Sequence, residues 1–155
     1  MGRPGESGVG EGHFRRTMGY FATGVTVVTT RGPAGEPVGL TVNAFTSLSL
    51  DPTLILVCVH REASAHDPLL RSGYFVVNIL ASEQEALARR FAAREGQERF
   101  RGVAWAEAAH GSPLLDGSLG WLECRVRQAY PGGDHSIIVG EVLGCGAAGG
   151  EPLLF

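Results

Sequence analysis

The alternation of apolar and polar residues divides the chain into short strands and a few short helices. Phe14, Met18 and Phe21 fall at i, i+4 and i+7, so residues 13–21 read as a helix with one apolar face, stopped at Thr23-Gly24. The β-branched run Val25-Thr26-Val27-Val28-Thr29-Thr30 reads as a strand. Gly32, Pro33, Gly35 and Pro37 then mark a turn. Residues 38–50 (VGLTVNAFTSLSL) alternate apolar with small polar side chains and stop at Asp51-Pro52. Residues 53–59 (TLILVCV) are continuously apolar, the pattern of a strand buried on both faces.

A short helix is expected over residues 64–71, ended by Gly73, and a strand over residues 74–80 (YFVVNIL). Ser82 with Glu85 three positions on has the form of a capping box; the helix it opens carries Leu87, Arg90 and Phe91 and runs to about Ala93. Residues 94–113 are charged, small or glycine and read as an irregular excursion. Two long strands, 119–130 and 136–143, flank Pro131-Gly132-Gly133-Asp134 and form a hairpin. Six or seven strands with connections mostly too short for a parallel crossover give a mainly β, antiparallel fold. Such strands close into a barrel or stack as a sandwich; the barrel is the expectation. Residues 1–12 hold five glycines and read as a flexible leader, leaving residues 13–155 as the domain.

Composition narrows the function classes. All 13 basic residues are arginine and the net charge is −3, which argues against a protein that neutralises many phosphates, so no nucleic-acid partner is expected. Cys58, Cys124 and Cys145 are far apart with no CxxC pair, the wrong spacing for zinc or a disulfide scaffold. A cytoplasmic setting follows, with no membrane partner, because no apolar run has signal-peptide or membrane-spanning length. GxSxG, HExxH, a P-loop and a strand-to-helix GxGxxG are all missing. The informative stretch is residues 39–52. It sets Thr41, Asn43, Thr46, Ser47 and Ser49 into an otherwise apolar strand. Two readings are open: a strand that hydrogen-bonds a polar ligand, or an edge strand with a solvated face.

GLTVNAFTSLSLDP followed by TLILVCV resembles the flavin reductase-like family, the small reductase components of two-component flavin-dependent monooxygenases. Four more segments agree in the same order: FRRTMGYFATGVTVVTT, SGYFVVNIL, LARRFA and GGDHSIIVGEV. Together they cover residues 13–155. The resemblance implies an antiparallel split β-barrel, a homodimer with FMN or FAD at the subunit interface. It also implies hydride transfer from NADH or NADPH and delivery of reduced flavin to a partner monooxygenase. The alternative is an electron-transfer or sensor module on the same barrel without turnover.

Carried over by position, Val38, Gly39, Leu40, Thr41 and Val42 would line the flavin, followed by Asn43, Ala44, Phe45, Thr46 and Ser47. Cys58, Val59 and His60 would end the next strand beside the ring, with Arg61, Ser64 and Ala65 toward the phosphate. Phe91 would sit near the ring or its phosphate tail, and His135 where the nicotinamide stacks. The family's Ser-Arg-Thr run is absent after His60, which leaves FMN against FAD undecided. Relatives run on past the PLLF-like segment, whereas this sequence stops at Phe155, implying either a longer chain or a more open pocket.

Each candidate also has a plainer reading. His135 could be a solvent-facing hairpin residue, His60 and His66 surface residues, and Cys58 an inert core thiol. Cys124, Cys145, Trp105 and Trp121 read as packing residues. Arg89, Arg90, Arg94, Arg99 and Arg101 form either a solvated face or a positive field for a phosphate.

Overall fold

The structure is a computed structural model that describes residues 8–94 and 98–155. In chain order the elements are α1 (Glu11–Met18), β1 (Thr26–Arg31), β2 (Pro37–Val42), β3 (Phe45–Leu50), β4 (Thr53–His60), α2 (His66–Ser72) and β5 (Tyr74–Ile79). A 3₁₀ turn (Ser82–Gln84), α3 (Glu85–Ala92), β6 (Trp105–Glu107), β7 (Pro113–Leu115), β8 (Gly120–Gly132) and β9 (His135–Ala147) follow. One seven-stranded sheet runs in the order β2-β1-β5-β8-β9-β4-β3, and β6 with β7 makes a separate two-stranded ribbon. Every pairing is antiparallel. The terminal strands β2 and β3 are consecutive in sequence, so the sheet curls back on itself and closes without their pairing. This is the antiparallel split β-barrel that the resemblance implies. The Cys58 N–H donates to the Ala44 carbonyl at 2.9 Å, tying the β2–β3 crossover to β4.

The barrel interior collects β-branched and aromatic side chains from alternate strand positions: Val28, Leu40, Val42, Ile55, Val57, Phe75 and Ile138, plugged by Leu69 of α2. A second cluster, with Val27, Leu80, Ala88, Phe91 and Leu115, packs α3 and β7 against the sheet. Asn78 enters this interior with its amide paired. Asn78 is fully buried; its amide donates to Val27 O (2.9 Å) and Thr29 Oγ1 (3.0 Å) and accepts from Leu115 N–H (2.9 Å). Thr29 Oγ1 donates to Pro113 O at 2.6 Å, so the β6–β7 ribbon is held by a closed hydrogen-bond set.

Several expectations from periodicity change. The segment 38–50 is two strands, because the chain crosses between sheet ends at Asn43-Ala44. β4 is buried on one face only: Ile55, Val57 and Val59 point inward while Leu54, Leu56 and Cys58 stay half-exposed. The box from Ser82 to Glu85 does not form; Gln84 Oε1 accepts the Ala81 N–H at 2.8 Å, and Ser82 opens the 3₁₀ turn. The excursion 94–113 contains β6 and the approach to β7. α1 begins two residues early, and Phe14 and Met18 on it are exposed, as is Phe21 beyond it. Of the leader, residues 1–7 lie outside the described residues.

Candidate functional site

The free edge of β2 begins the site. Gly39 is buried, and a Cβ there would lie 2.9 Å from Phe91 Cε1 and 3.3 Å from Phe100 Cζ. Only glycine lets the strand lie this close to the two rings. Its carbonyl turns away from β1 and accepts Arg99 Nη1 at 2.6 Å. Leu40 and Val42 point into the core, and Thr41 Oγ1 donates to Ala88 O at 2.5 Å, anchoring α3 on the strand. Beyond them Asn43, Ala44, Thr46 and Ser47 are exposed and Phe45 is half-buried. The Phe45 N–H bonds Asn43 O at 2.9 Å, which shapes the crossover.

A histidine corner forms where β4 ends and β9 begins. His60 and His135 are register partners with ring centroids 5.0 Å apart, edge to face. Asp134 Oδ1 lies 2.7 Å from His135 Nδ1, and Oδ2 lies 3.7 Å from His60 Nε2. The Glu62 N–H donates to His60 Nδ1 at 3.1 Å, so a neutral His60 carries its proton on Nε2, toward the carboxylate. Donation from His135 holds the Asp134 carboxyl below the usual carboxylate range. A folded-state value below the unfolded one stabilises at neutral pH, and that contribution is lost only as the pH falls through the folded value. Behind the corner His66 is buried, contrary to its surface reading. Its Nε2 lies 2.8 Å from Ser136 Oγ and its Nδ1 2.8 Å from Asp67 Oδ1, which pins the start of β9 from inside.

A cleft of about 570 Å³ opens at the start of the same β2 edge, lined by Glu36, Pro37, Val38, Gly39, Ser64, Pro68, Arg94, Arg99 and Phe100. The predicted residues therefore divide by environment. Asn43, Ala44, Phe45 and Cys58 meet at the crossover; His60, Arg61 and His135 meet at the corner, where the Arg61 N–H bonds Asp134 O at 2.9 Å. Val38, Gly39 and Ser64 share the cleft. The side chains of Leu40, Val42, Val59 and Ala65 are buried, so these residues have only backbone to offer. Phe91 is also fully buried, with no exposed face for a ligand; it supports Gly39 from beneath.

Sequence reading missed Asp134 as the shared partner of two imidazoles, and it missed Phe100 and Pro68 in the cleft. Their signal is purely spatial. Trp105 packs edge-on to Phe100 and under the Arg31 guanidinium, as an anchor.

The cysteines separate by exposure. Burial pushes the Cys124 thiol up to about 12 and raises that of Cys58, while Cys145 is exposed, against its reading as a packing residue. Thiol labelling of the folded protein should modify Cys145 first, Cys58 slowly, and Cys124 only on unfolding. Prompt labelling of Cys124 would contradict the packed β8–β9 face.

The family described as "Flavin reductase like domain" matches residues 18–155. The chain belongs to this family. It is 42% identical over 142 residues to the FMN reductase (NADH) SmoA of Agrobacterium fabrum, covering 92% of this chain and 80% of that protein. It is 41% identical over 135 residues to the stachydrine N-demethylase reductase subunit Stc3 of Rhizobium meliloti, spanning 87% of this chain and 58% of that relative. Among solved structures, the Streptomyces globisporus NADH:FAD oxidoreductase SgcE6 in complex with NAD and FAD fragments matches with TM-score 0.86 and 42% identity, over 92% of this chain and 86% of that one. Within the family, the split between β2 and β3 is where this chain exposes its small polar residues. No helix among the described residues is long and apolar enough to cross a membrane.

Proposed function

We propose that this chain is an NAD(P)H:flavin oxidoreductase that reduces FMN or FAD and supplies the reduced flavin to a partner monooxygenase. The observation that carries it is the unpaired β2 edge and exposed Asn43-Ala44 crossover beside the histidine corner, in a chain of this family. The donor set fits a flat heteroaromatic ring with a carbonyl-rich edge and a phosphate tail: an exposed amide at Asn43, hydroxyls at Thr46 and Ser47, and free strand-edge backbone. Bound flavin supplies the hydride acceptor, and nicotinamide the donor.

The protein's part is to bind, orient and exclude water. Asn43, Thr46 and Ser47 hold the polar edge, and Cys58 contributes backbone beside the ring. His135, oriented through Nδ1 by Asp134, offers its ring to the nicotinamide. No side chain has to serve as nucleophile or obligatory base, which accounts for the missing catalytic triads.

The reading extends to a homodimer. Leu54, Leu56 and Ile137 on the outer face of β4 and β9 are half-exposed in one chain, and Leu50 on β3 is 92% exposed. A second copy seated on this apolar face would complete the flavin site. Three free cysteines suit a reducing cytoplasm.

The test is consumption of NADH or NADPH, followed at 340 nm, by the full chain with excess FMN or FAD. No acceleration over the protein-free control with any pair overturns the assignment. His135→Ala should raise KM for NADH by roughly three- to tenfold, as expected for loss of one stacking contact, with little change in flavin Kd. Equal losses in both would remove His135 from the nicotinamide side.

A further inference from the structure

The short connection between β4 and α2 holds the start of β9 at two points, one on each side of His135. The Arg61 N–H donates to the Asp134 carbonyl at 2.9 Å, and His66 Nε2 lies 2.8 Å from Ser136 Oγ. Within the connection the Ala63 N–H bonds His60 O and the His66 N–H bonds Ala63 O, both at 3.0 Å, so segment 60–66 is braced from end to end. Gly133 and Asp134, which precede His135 in the hairpin turn, are exposed. Ser136 is the first buried side chain of β9.

The Asp67 carboxylate lies 2.8 Å from His66 Nδ1 and accepts there, so a neutral His66 carries its proton on Nδ1. Nε2 is left as an acceptor, and the Ser136 hydroxyl donates to it. Serine, imidazole and carboxylate stand in the order of a hydrolase triad. A triad serine must be open to a substrate carbonyl, whereas Ser136 and His66 are both only 8% exposed. The trio holds; it does not react. A one-residue slip of β9 would turn Ser136 outward and His135 inward, leaving the buried Nε2 without its partner. The bond therefore favours the register that keeps His135 on the outer face, opposite His60.

We infer that His66 is a positioning residue for His135: by accepting the Ser136 hydroxyl it fixes the direction in which the His135 ring leaves the sheet toward the nicotinamide. His135 and Ser136 share one planar peptide and point to opposite faces of β9, so anchoring Ser136 from inside sets the backbone that carries the ring. Asp134 sets the rotation of that ring through Nδ1. The contact with nicotinamide rests on the reductase reading; the orientation of His135 by His66 does not.

The test compares the full chain with Ser136→Ala, His66→Gln and His66→Asn. A Gln amide reaches the place of Nε2 and an Asn amide only that of Nδ1, so Gln should keep the bond to Ser136 and Asn should lose it. Nitrogen NMR of the imidazoles should show shifted His135 resonances in Ser136→Ala and His66→Asn, and near-parental ones in His66→Gln. KM for NADH should rise roughly two- to fivefold in the first two, the scale of one neutral hydrogen bond, with kcat and flavin Kd within about twofold. In a His135→Ala background, Ser136→Ala should add nothing to KM, because it acts only through that ring. An additive rise there, or unmoved His135 resonances in Ser136→Ala, overturns the inference. Ser136→Ala removes a single oxygen, so it keeps the test valid if His66→Asn unfolds. Shifted resonances with an unchanged KM would take His135 off the nicotinamide side and leave its positioning by His66 standing. Shifted resonances in a chain that consumes no NADH would sink the reductase reading and likewise leave the positioning standing.

Discussion

Replacement of Phe91 by alanine is expected to remove about 3–5 kcal/mol of folding stability and to lower flavin affinity with it. The ring is fully buried, meets Phe100 edge-on at 4.9 Å, and lies where a Gly39 Cβ would approach it to 2.9 Å. Removing it leaves a cavity between α3 and β2 that close packing does not refill. The strand edge that carries Gly39 and Val38 then loses its support. Thermal unfolding followed by circular dichroism should show Tm lowered by roughly 10 °C or more at this chain length. Phe91→Leu, which keeps most of the volume, should recover much of it. Gly39→Ala alone should destabilise, and combining it with Phe91→Leu should cost less than the two separate losses added together. An unchanged Tm in Phe91→Ala would show that the ring does not hold this part of the core.

Asn78→Leu is expected to be nearly as damaging, by about 2–4 kcal/mol. It removes the donors to Val27 O and Thr29 Oγ1 and the acceptor of Leu115 N–H, and all of these groups are away from water. Leucine is close in size, so the loss comes from unsatisfied backbone groups more than from volume. The β6–β7 ribbon depends on this amide and on Thr29, so amide hydrogen exchange at Leu115 should accelerate more than exchange in β4 or β9. Urea denaturation measures the global loss. A stability within 0.5 kcal/mol of the parent, a threshold typical of neutral surface substitutions, would refute the buried network.

Most strands were legible because alternation and β-branched runs report local geometry directly. Val25 to Thr30, YFVVNIL and the hairpin around Gly132-Gly133 are read correctly from a few residues, and Gly133 takes φ +69° at the turn. The TLILVCV run misled because a continuous apolar run does not say which of its faces the rest of the fold covers; its outer face is half-exposed. Ser82 with Glu85 had the right residue types for a box, yet the Gln84 side chain reached the Ala81 N–H first. Cys145 looked like packing and is exposed, since strand position alone does not say which end of a barrel is covered.

By itself the sequence determined most strands of the main sheet, the family, and the polar residues of the 39–52 stretch, because each is written in contiguous residues; the break at Asn43-Ala44 and the β6–β7 ribbon were not. The tertiary structure alone decided which of those residues face outward. It buried Phe91 beneath Gly39, tied the Thr41 hydroxyl to α3, and placed one carboxylate between His60 and His135. It also brought Arg99 to Gly39, 60 positions away, and so set on a cleft wall a member of the arginine series that the sequence left open between a solvated face and a positive field. Such pairings depend on how the curled sheet closes, and periodicity along the chain carries no record of contacts between residues so far apart.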